Sequence, residues 1–208
     1  ASTYDGTSIA NGIEVTAGPL QGTYIAVEGG TSKPLSEIGN ITADIAVASP
    51  IEACTPLSNA VELAGKFALI QRGTCNFDVK LAAAEAAGAV GVIVYNNTTA
   101  SPSVMGGSSS FAIPAVMTTL AAGNAFNAEV TAGGTVSVTM SSSVFVTDVA
   151  EVGNLMAGFS SRGPNLATSD VIKPDITAPG VKILAGASSE PMLAAHGNSF
   201  TYLQGTSM

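Results

Sequence analysis

Between residues 66 and 95 an apolar run, a helical repeat and a second apolar run follow one another almost without slack, and few folds accommodate that order. Lys66-Phe67-Ala68-Leu69-Ile70-Gln71 reads as a strand, and Arg72-Gly73-Thr74 ends it. Asn76 then offers an N-cap, and Phe77, Val79, Lys80, Leu81, Ala84 and Ala87 recur at helical spacing. Gly88 stands where a helix-terminating glycine belongs. Ala89-Val90-Gly91-Val92-Ile93-Val94-Tyr95 is a continuous apolar run of the kind buried on both faces. Strand, helix and strand make a βαβ unit, and a crossover of this length joins parallel neighbours through a right-handed connection. The expected fold class is α/β in the mixed sense, a βαβ core with further strands around it.

Shorter β-type runs lie at residues 24–27, 41–48 and 114–117, bounded by Gly-Gly, Ser-Pro and Asn-containing turns. A helix is predicted over 119–127. Residues 135–140 and 144–149 read as two strands around a Ser-rich turn, and 102–110, rich in Gly and Ser, as a mobile surface loop and a candidate contact segment. After Gly153 periodicity fades, which marks a candidate domain boundary. Only 181–184 in that tail looks like a strand, so the tail needs a partner surface to bury a core.

Several function classes are disfavoured. Lys and Arg total 7 against 15 Asp and Glu, and a net charge of -8 repels phosphate backbones and anionic membrane surfaces, so no nucleic-acid or membrane partner is expected. The weakly polar stretch 81–95 is too short and too interrupted to span a bilayer. The first five residues have neither a basic nor an apolar region of a signal peptide. Cys54 and Cys75 are the only cysteines, too few for a Cys-rich zinc site and too far apart for a C-x-x-C pair. One disulfide is the simplest reading, with two buried free thiols as the alternative. A bridge would close a loop worth about 3 kcal/mol and would point to an oxidising compartment.

Two blocks carry a family resemblance. Cys54-Thr55-Pro56-Leu57, the segment from Ala64-Gly65-Lys66 through Cys75-Asn76-Phe77, residues 86–97 and Ile113-Pro114-Ala115-Val116 together resemble a protease-associated (PA) domain. Further on, Phe159-Ser160-Ser161-Arg162-Gly163-Pro164, then Lys173-Pro174-Asp175-Ile176-Thr177-Ala178-Pro179-Gly180, then Gly205-Thr206-Ser207-Met208 resemble the last third of a subtilisin-like (S8) catalytic domain. Ala1-Ser2-Thr3 is similar to the end of a subtilase core strand. The resemblance implies residues 1–5 as the end of that strand, 6–149 as an inserted PA domain, and 150–208 as a truncated C-terminal part of the catalytic domain.

It also implies roles. Ser207 corresponds to the nucleophile at a helix start, its oxygen attacking the scissile carbonyl and its backbone N–H helping to hold the oxyanion. Outside that context Ser207 would read as a helix cap. His196, the sole histidine, is followed by Gly197-Asn198 rather than a subtilase His-Gly-Thr-His block, so it reads as a loop residue. Asp5-Gly6-Thr7 has the wrong order for a catalytic aspartate block and reads as a turn. Asp170 and Asp175 are read as structural. Asn40 and Asn96 fit the glycosylation pattern and by default mark polar turns.

The family's aspartate, histidine and oxyanion-hole asparagine precede the insertion, and no matching blocks occur here. A serine without a base is barely nucleophilic at neutral pH, so these residues alone are expected to be inactive. The reading is a fragment of a secreted serine endopeptidase with a PA domain modulating access of protein or peptide substrates, its catalytic partner being the missing N-terminal half of the same domain. No cofactor is expected, and the sequence is silent on structural calcium. The alternative is a protein-binding or self-associating PA module without catalysis.

Overall fold

The computed structural model describes residues 7–149, 156–157, 160, 177–180, 183–186, 200–203 and 205–206. The chain divides into two compact units, Ile9–Val146 and the pair of segments Ala1–Ser8 and Thr147–Met208.

In the larger unit the two apolar runs of the βαβ motif become β4 (Phe67–Gln71) and β5 (Gly91–Tyr95), joined by α3 (Phe77–Ala86). The strands are parallel, in register from Phe67 opposite Gly91 to Gln71 opposite Tyr95. β3 (Ile41–Val47) and β6 (Ala115–Thr118) extend the parallel set on either side. β2 (Gly22–Glu28), β1 (Thr7–Val15) and β7 (Ser137–Val149) join it antiparallel and complete a closed barrel in the order β1-β2-β6-β5-β4-β3-β7. Closure removes the free strand edges that would otherwise invite association.

Side-chain alternation along the parallel strands builds two cores. Phe67, Leu69, Ile93, Tyr95 and Val116 pack with Phe126 of α4 (Leu120–Thr131) and with Ile13, Val138 and Met140. Ala68, Ile70, Val92, Val94 and Met117 turn the other way, onto Leu81 and Ala84 of α3 and Leu63 of α2 (Ala60–Leu63). With both faces covered, β4 and β5 have no polar side to show, which is why their sequence is continuously apolar. The remaining helix, α1 (Leu35–Ile38), is a single short turn.

Helix ends follow local chemistry. Thr119 caps α4, its Oγ1 accepting from Ala122 N at 3.2 Å. Asn76 occupies the N-cap of α3 in extended conformation, but its side chain makes no capping bond. α3 ends on Gly88 with φ 76°, where Gly88 N donates to Glu85 O and Ala89 N to Ala84 O, a glycine-dependent C-terminal closure. Gly123 is required for a different reason, since a Cβ there would lie 2.0 Å from Tyr95 Cγ.

One expectation needs correction, and two strands, β1 and β9 (Phe200–Leu203), have no counterpart in the sequence reading. Residues 135–149 do not turn at Ser141-Ser142-Ser143 but run as the single strand β7, because Ser141 Oγ donates to Asn40 Oδ1 at 2.6 Å and its hydroxyl is satisfied laterally. β1 is masked in the sequence by Asn11-Gly12, a turn-type pair, yet Gly12 sits in the ladder opposite Ile25. In the smaller unit the strand near 181–184 is β8 (Ile183–Gly186), and it has an unexpected antiparallel partner, β9 (Phe200–Leu203).

Candidate functional site

One cluster of polar groups in the larger unit lies at the carboxyl ends of β4 and β5. The chain leaving β3 turns at Pro50, whose carbonyl accepts from Ala53 N at 2.9 Å. Ala53 is fully buried with φ 48°, a left-handed conformation that costs an alanine about 1 kcal/mol, and this turn presents Glu52 and Cys54 to the segment after β4. Cys54 is disulfide-bonded to Cys75, with the Cα atoms 5.6 Å apart. Glu52 Oε2 accepts from Thr74 Oγ1 at 2.7 Å. That side-chain hydrogen bond, aided by the nearby Lys80 charge and opposed by partial burial, holds the Glu52 carboxyl below the ordinary glutamate value.

Lys80 falls among the helically spaced, mostly apolar positions of α3, and it is as buried as Leu81 and Ala84, with 0% of its surface exposed. Its ammonium donates to the Glu52 carbonyl oxygen and lies 3.5 Å from Cys54 Sγ. Burial depresses the Lys80 pKa, and the Glu52 charge offsets some of that. Val79, by contrast, is 44% exposed.

Beside this cluster Arg72 Nη1 donates to Asn96 Oδ1 at 3.1 Å, and its guanidinium stands 5.9 Å from the centroid of the Phe77 ring. Asn96 is fully buried, and its Nδ2 donates to Ala100 O at 3.0 Å, so this asparagine is spent on shaping the turn after β5. Asn40 is exposed. The 102–110 segment is tethered at several points. Met105 is fully buried and its carbonyl accepts from Gly30 N, while Asp78 Oδ2 accepts from Ser108 N at 2.9 Å, Ser109 N at 3.2 Å and Ser108 Oγ at 3.3 Å. Led by the Ser108 N–H, these donors keep the Asp78 carboxyl below the usual aspartate value, against the opposing effect of burial.

In the smaller unit Gly205 N donates to Gly180 O at 2.9 Å. Two of the three motif blocks, Thr177-Ala178-Pro179-Gly180 and Gly205-Thr206, are thereby brought together immediately after β9, with Gly180 buried and Thr206 exposed. From the first block only Ser160 is described; it is buried and its N–H donates to Ala157 O at 2.9 Å. Ser207, Met208, His196, Asp170, Asp175 and Asp5 lie outside the described residues. Among the described residues no three His, Cys, Asp or Glu side chains converge as a metal would require. No described helix is long and apolar enough to cross a membrane.

Sequence reasoning brings out the cysteine pair but misses Glu52, Arg72, Asp78 and Lys80 as a group. Asp78 and Lys80 are two apart on one helix, but Lys80 meets Glu52 from 28 positions earlier and Asp78 meets Ser108 from 30 positions later, relations with no local signature.

Residues 41–126 match the family model described as the PA domain. The chain is 34% identical over 148 residues to the minor extracellular protease Vpr of Bacillus subtilis (strain 168), covering 71% of this chain and 17% of that protein. It is 52% identical over 60 residues to a subtilisin-like protease of Glycine max, covering 26% of this chain and 8% of the relative. Among solved structures, an aminopeptidase from Aneurinibacillus sp. strain AM-1 superposes with a TM-score of 0.50 and 26% identity, over 72% of this chain and 33% of that one. The likeness to the PA domain thus covers residues 41–126, and the chain spans under a fifth of the length of these curated relatives.

Proposed function

We propose that these residues belong to a secreted subtilisin-like serine endopeptidase in which Ser207 is the nucleophile and the PA domain modulates how protein substrates reach the cleft. The observation that carries the reading is the Gly205-to-Gly180 hydrogen bond, which joins two separate motif blocks directly before Ser207. Similarity to an extracellular protease and to a subtilisin-like protease supports it.

In this reading the Ser207 hydroxyl loses its proton to a histidine supplied by the N-terminal half of the catalytic domain and attacks the scissile carbonyl. The carbonyl oxygen becomes an oxyanion, and the Ser207 N–H donates to it in concert with an asparagine from the same missing half. A serine hydroxyl lacking its base stays protonated at neutral pH, so residues 1–208 alone are inert toward peptide bonds. The 138-residue unit Ile9–Val146, held in a closed barrel, restricts or recruits the substrate.

The test is labelling by a fluorophosphonate, which reacts only with activated serines. The full-length protease is expected to take one adduct on Ser207, Ser207→Ala to lose the adduct and all but a residual activity, and the 208-residue chain alone to remain unlabelled. A full-length enzyme that labels elsewhere, or cleaves protein normally as the Ser207→Ala variant, refutes the assignment. The second reading, a protein-binding module, would instead show as micromolar or tighter peptide binding by the 208-residue chain.

A further inference from the structure

We propose that Cys54–Cys75 is a thiol-exchange site with unequal sulfurs: an incoming thiolate attacks Cys75 Sγ, and Cys54 leaves as a thiolate held by Lys80. Cys54 Sγ has two charged groups close by, Lys80 Nζ at 3.5 Å and Glu52 Oε2 at 3.8 Å. Among the described residues no charged group comes within hydrogen-bond reach of Cys75 Sγ, and both cysteines are half-buried and so reachable from solvent. The asymmetry therefore resides on one sulfur of the pair.

The two charges oppose each other but are not equally strong. Lys80 is fully buried, so its attraction for a neighbouring thiolate is little screened and its N–H can be donated directly to sulfur. Glu52 is partly exposed, and its Oε2 is already engaged by Thr74 Oγ1 at 2.7 Å, so its repulsion is weakened by water and by that hydrogen bond. Because exchange is faster when the departing sulfur is the better thiolate, opening favours attack at Cys75.

In the first step a thiolate RS⁻, of the glutathione type, forms a bond to Cys75 Sγ as the Cys75–Cys54 bond breaks, and the electron pair leaves on Cys54 Sγ. The products are R–S–S–Cys75 and the Cys54 thiolate. A second RS⁻ then attacks the R sulfur of the mixed disulfide, yielding RSSR and a Cys75 thiolate that takes a proton from water. Two thiols are oxidised to one disulfide and the protein disulfide is reduced to two cysteines. In the return direction the Cys54 thiolate held by Lys80 attacks Cys75 Sγ of the mixed disulfide and expels RS⁻.

Other bonds hold this segment when the disulfide is open. Gln71 N donates to Ile51 O at 2.9 Å, Ser58 N to Ser49 O at 2.8 Å, and Lys80 to the Glu52 carbonyl. The cluster stays assembled in the reduced state, which is what lets the same pair close again.

The experiment treats the folded 208-residue chain with glutathione without denaturant, traps free thiols with iodoacetamide, and maps both cysteines by peptide mass. Glutathione is expected on Cys75 and the alkyl group on Cys54, in excess of about tenfold over the reverse arrangement. Equal labelling, glutathione on Cys54, or opening only in denaturant overturns the proposal. Lys80→Met, checked for native circular dichroism, is expected to open about tenfold more slowly and to lose selectivity, and wild-type behaviour would overturn it. Glu52→Gln, which removes the charge that opposes the Cys54 thiolate, is expected to open faster than wild type, and slower opening would overturn the proposal. If Lys80→Met does not fold, the wild-type map alone decides which sulfur is attacked.

Discussion

α3 and α4 lie over opposite faces of the same parallel strands, yet they hold the structure by different means. α4 relies on shape. Phe126 is fully buried and meets the Tyr24 ring edge-on, with centroids 4.8 Å apart, while Gly123 lets the helix backbone close onto Tyr95. α3 presents mostly small residues to its core, Ala84 beside Leu81, and uses its long side chains as tethers: Lys80 to the 52–54 turn, Asp78 to Ser108 and Ser109, Glu85 to Ala112 N at 2.7 Å. One face of the sheet is stabilised by apolar volume, and the other positions the loops by hydrogen bonds to charged groups.

If that division is right, damage should differ in kind as well as size. Phe126→Ala on α4 is expected to cost about 3–5 kcal/mol in urea unfolding, since a large cavity opens in a dry core. A loss under about 1 kcal/mol would mean that α4 is not the packing element. Thr119→Ala, which removes only the α4 cap, is expected to cost about 1 kcal/mol by the same assay, leaving the unfolding slope unchanged.

Asp78→Asn on α3 is expected to leave global stability almost unmoved but to speed amide exchange at Ser108 and Ser109 selectively. Protonation should reproduce it. Because the folded Asp78 pKa lies below its ordinary value, the tether is fully present above that ordinary value and is lost as pH falls through the depressed one. Amide exchange rates at Ser108 and Ser109, corrected for intrinsic pH dependence, should therefore rise selectively only in strong acid. Equal acceleration throughout the unit would show that Asp78 acts globally, and the contrast between the helices would fail.

The same contrast separates what is legible in the sequence from what is not. β4, α3 and β5 can be read because burial on both faces leaves an uninterrupted apolar run, and the helical spacing between them is local. Lys80 shares the repeat that marks α3, but nothing nearby announces that its ammonium ends on a carbonyl 28 positions earlier. The 102–110 segment has a loop composition, and its anchors, Asp78 and Gly30, lie far away in sequence. β1 and β7 contain turn-type residues, Asn11-Gly12 and the serine run, whose strand conformation depends on neighbours contributed by distant segments of the chain. For the nucleophile, the motif is legible as a pattern, and Gly205 and Gly180 are joined, whereas Ser207 itself lies outside the described residues.

Barrel closure has one more consequence. β1 and β7 are the first and last strands of the larger unit and are neighbours; Thr16 N donates to Ser137 O at 3.0 Å, and the Cβ direction of Gly12 points at Val146. The pairings around the barrel make these two strands antiparallel, so the polypeptide enters and leaves the unit through the same doorway, with strands spaced by about 5 Å. Such a module can be spliced into a surface turn of another protein, or removed from it, while asking the recipient only to separate a pair of adjacent residues.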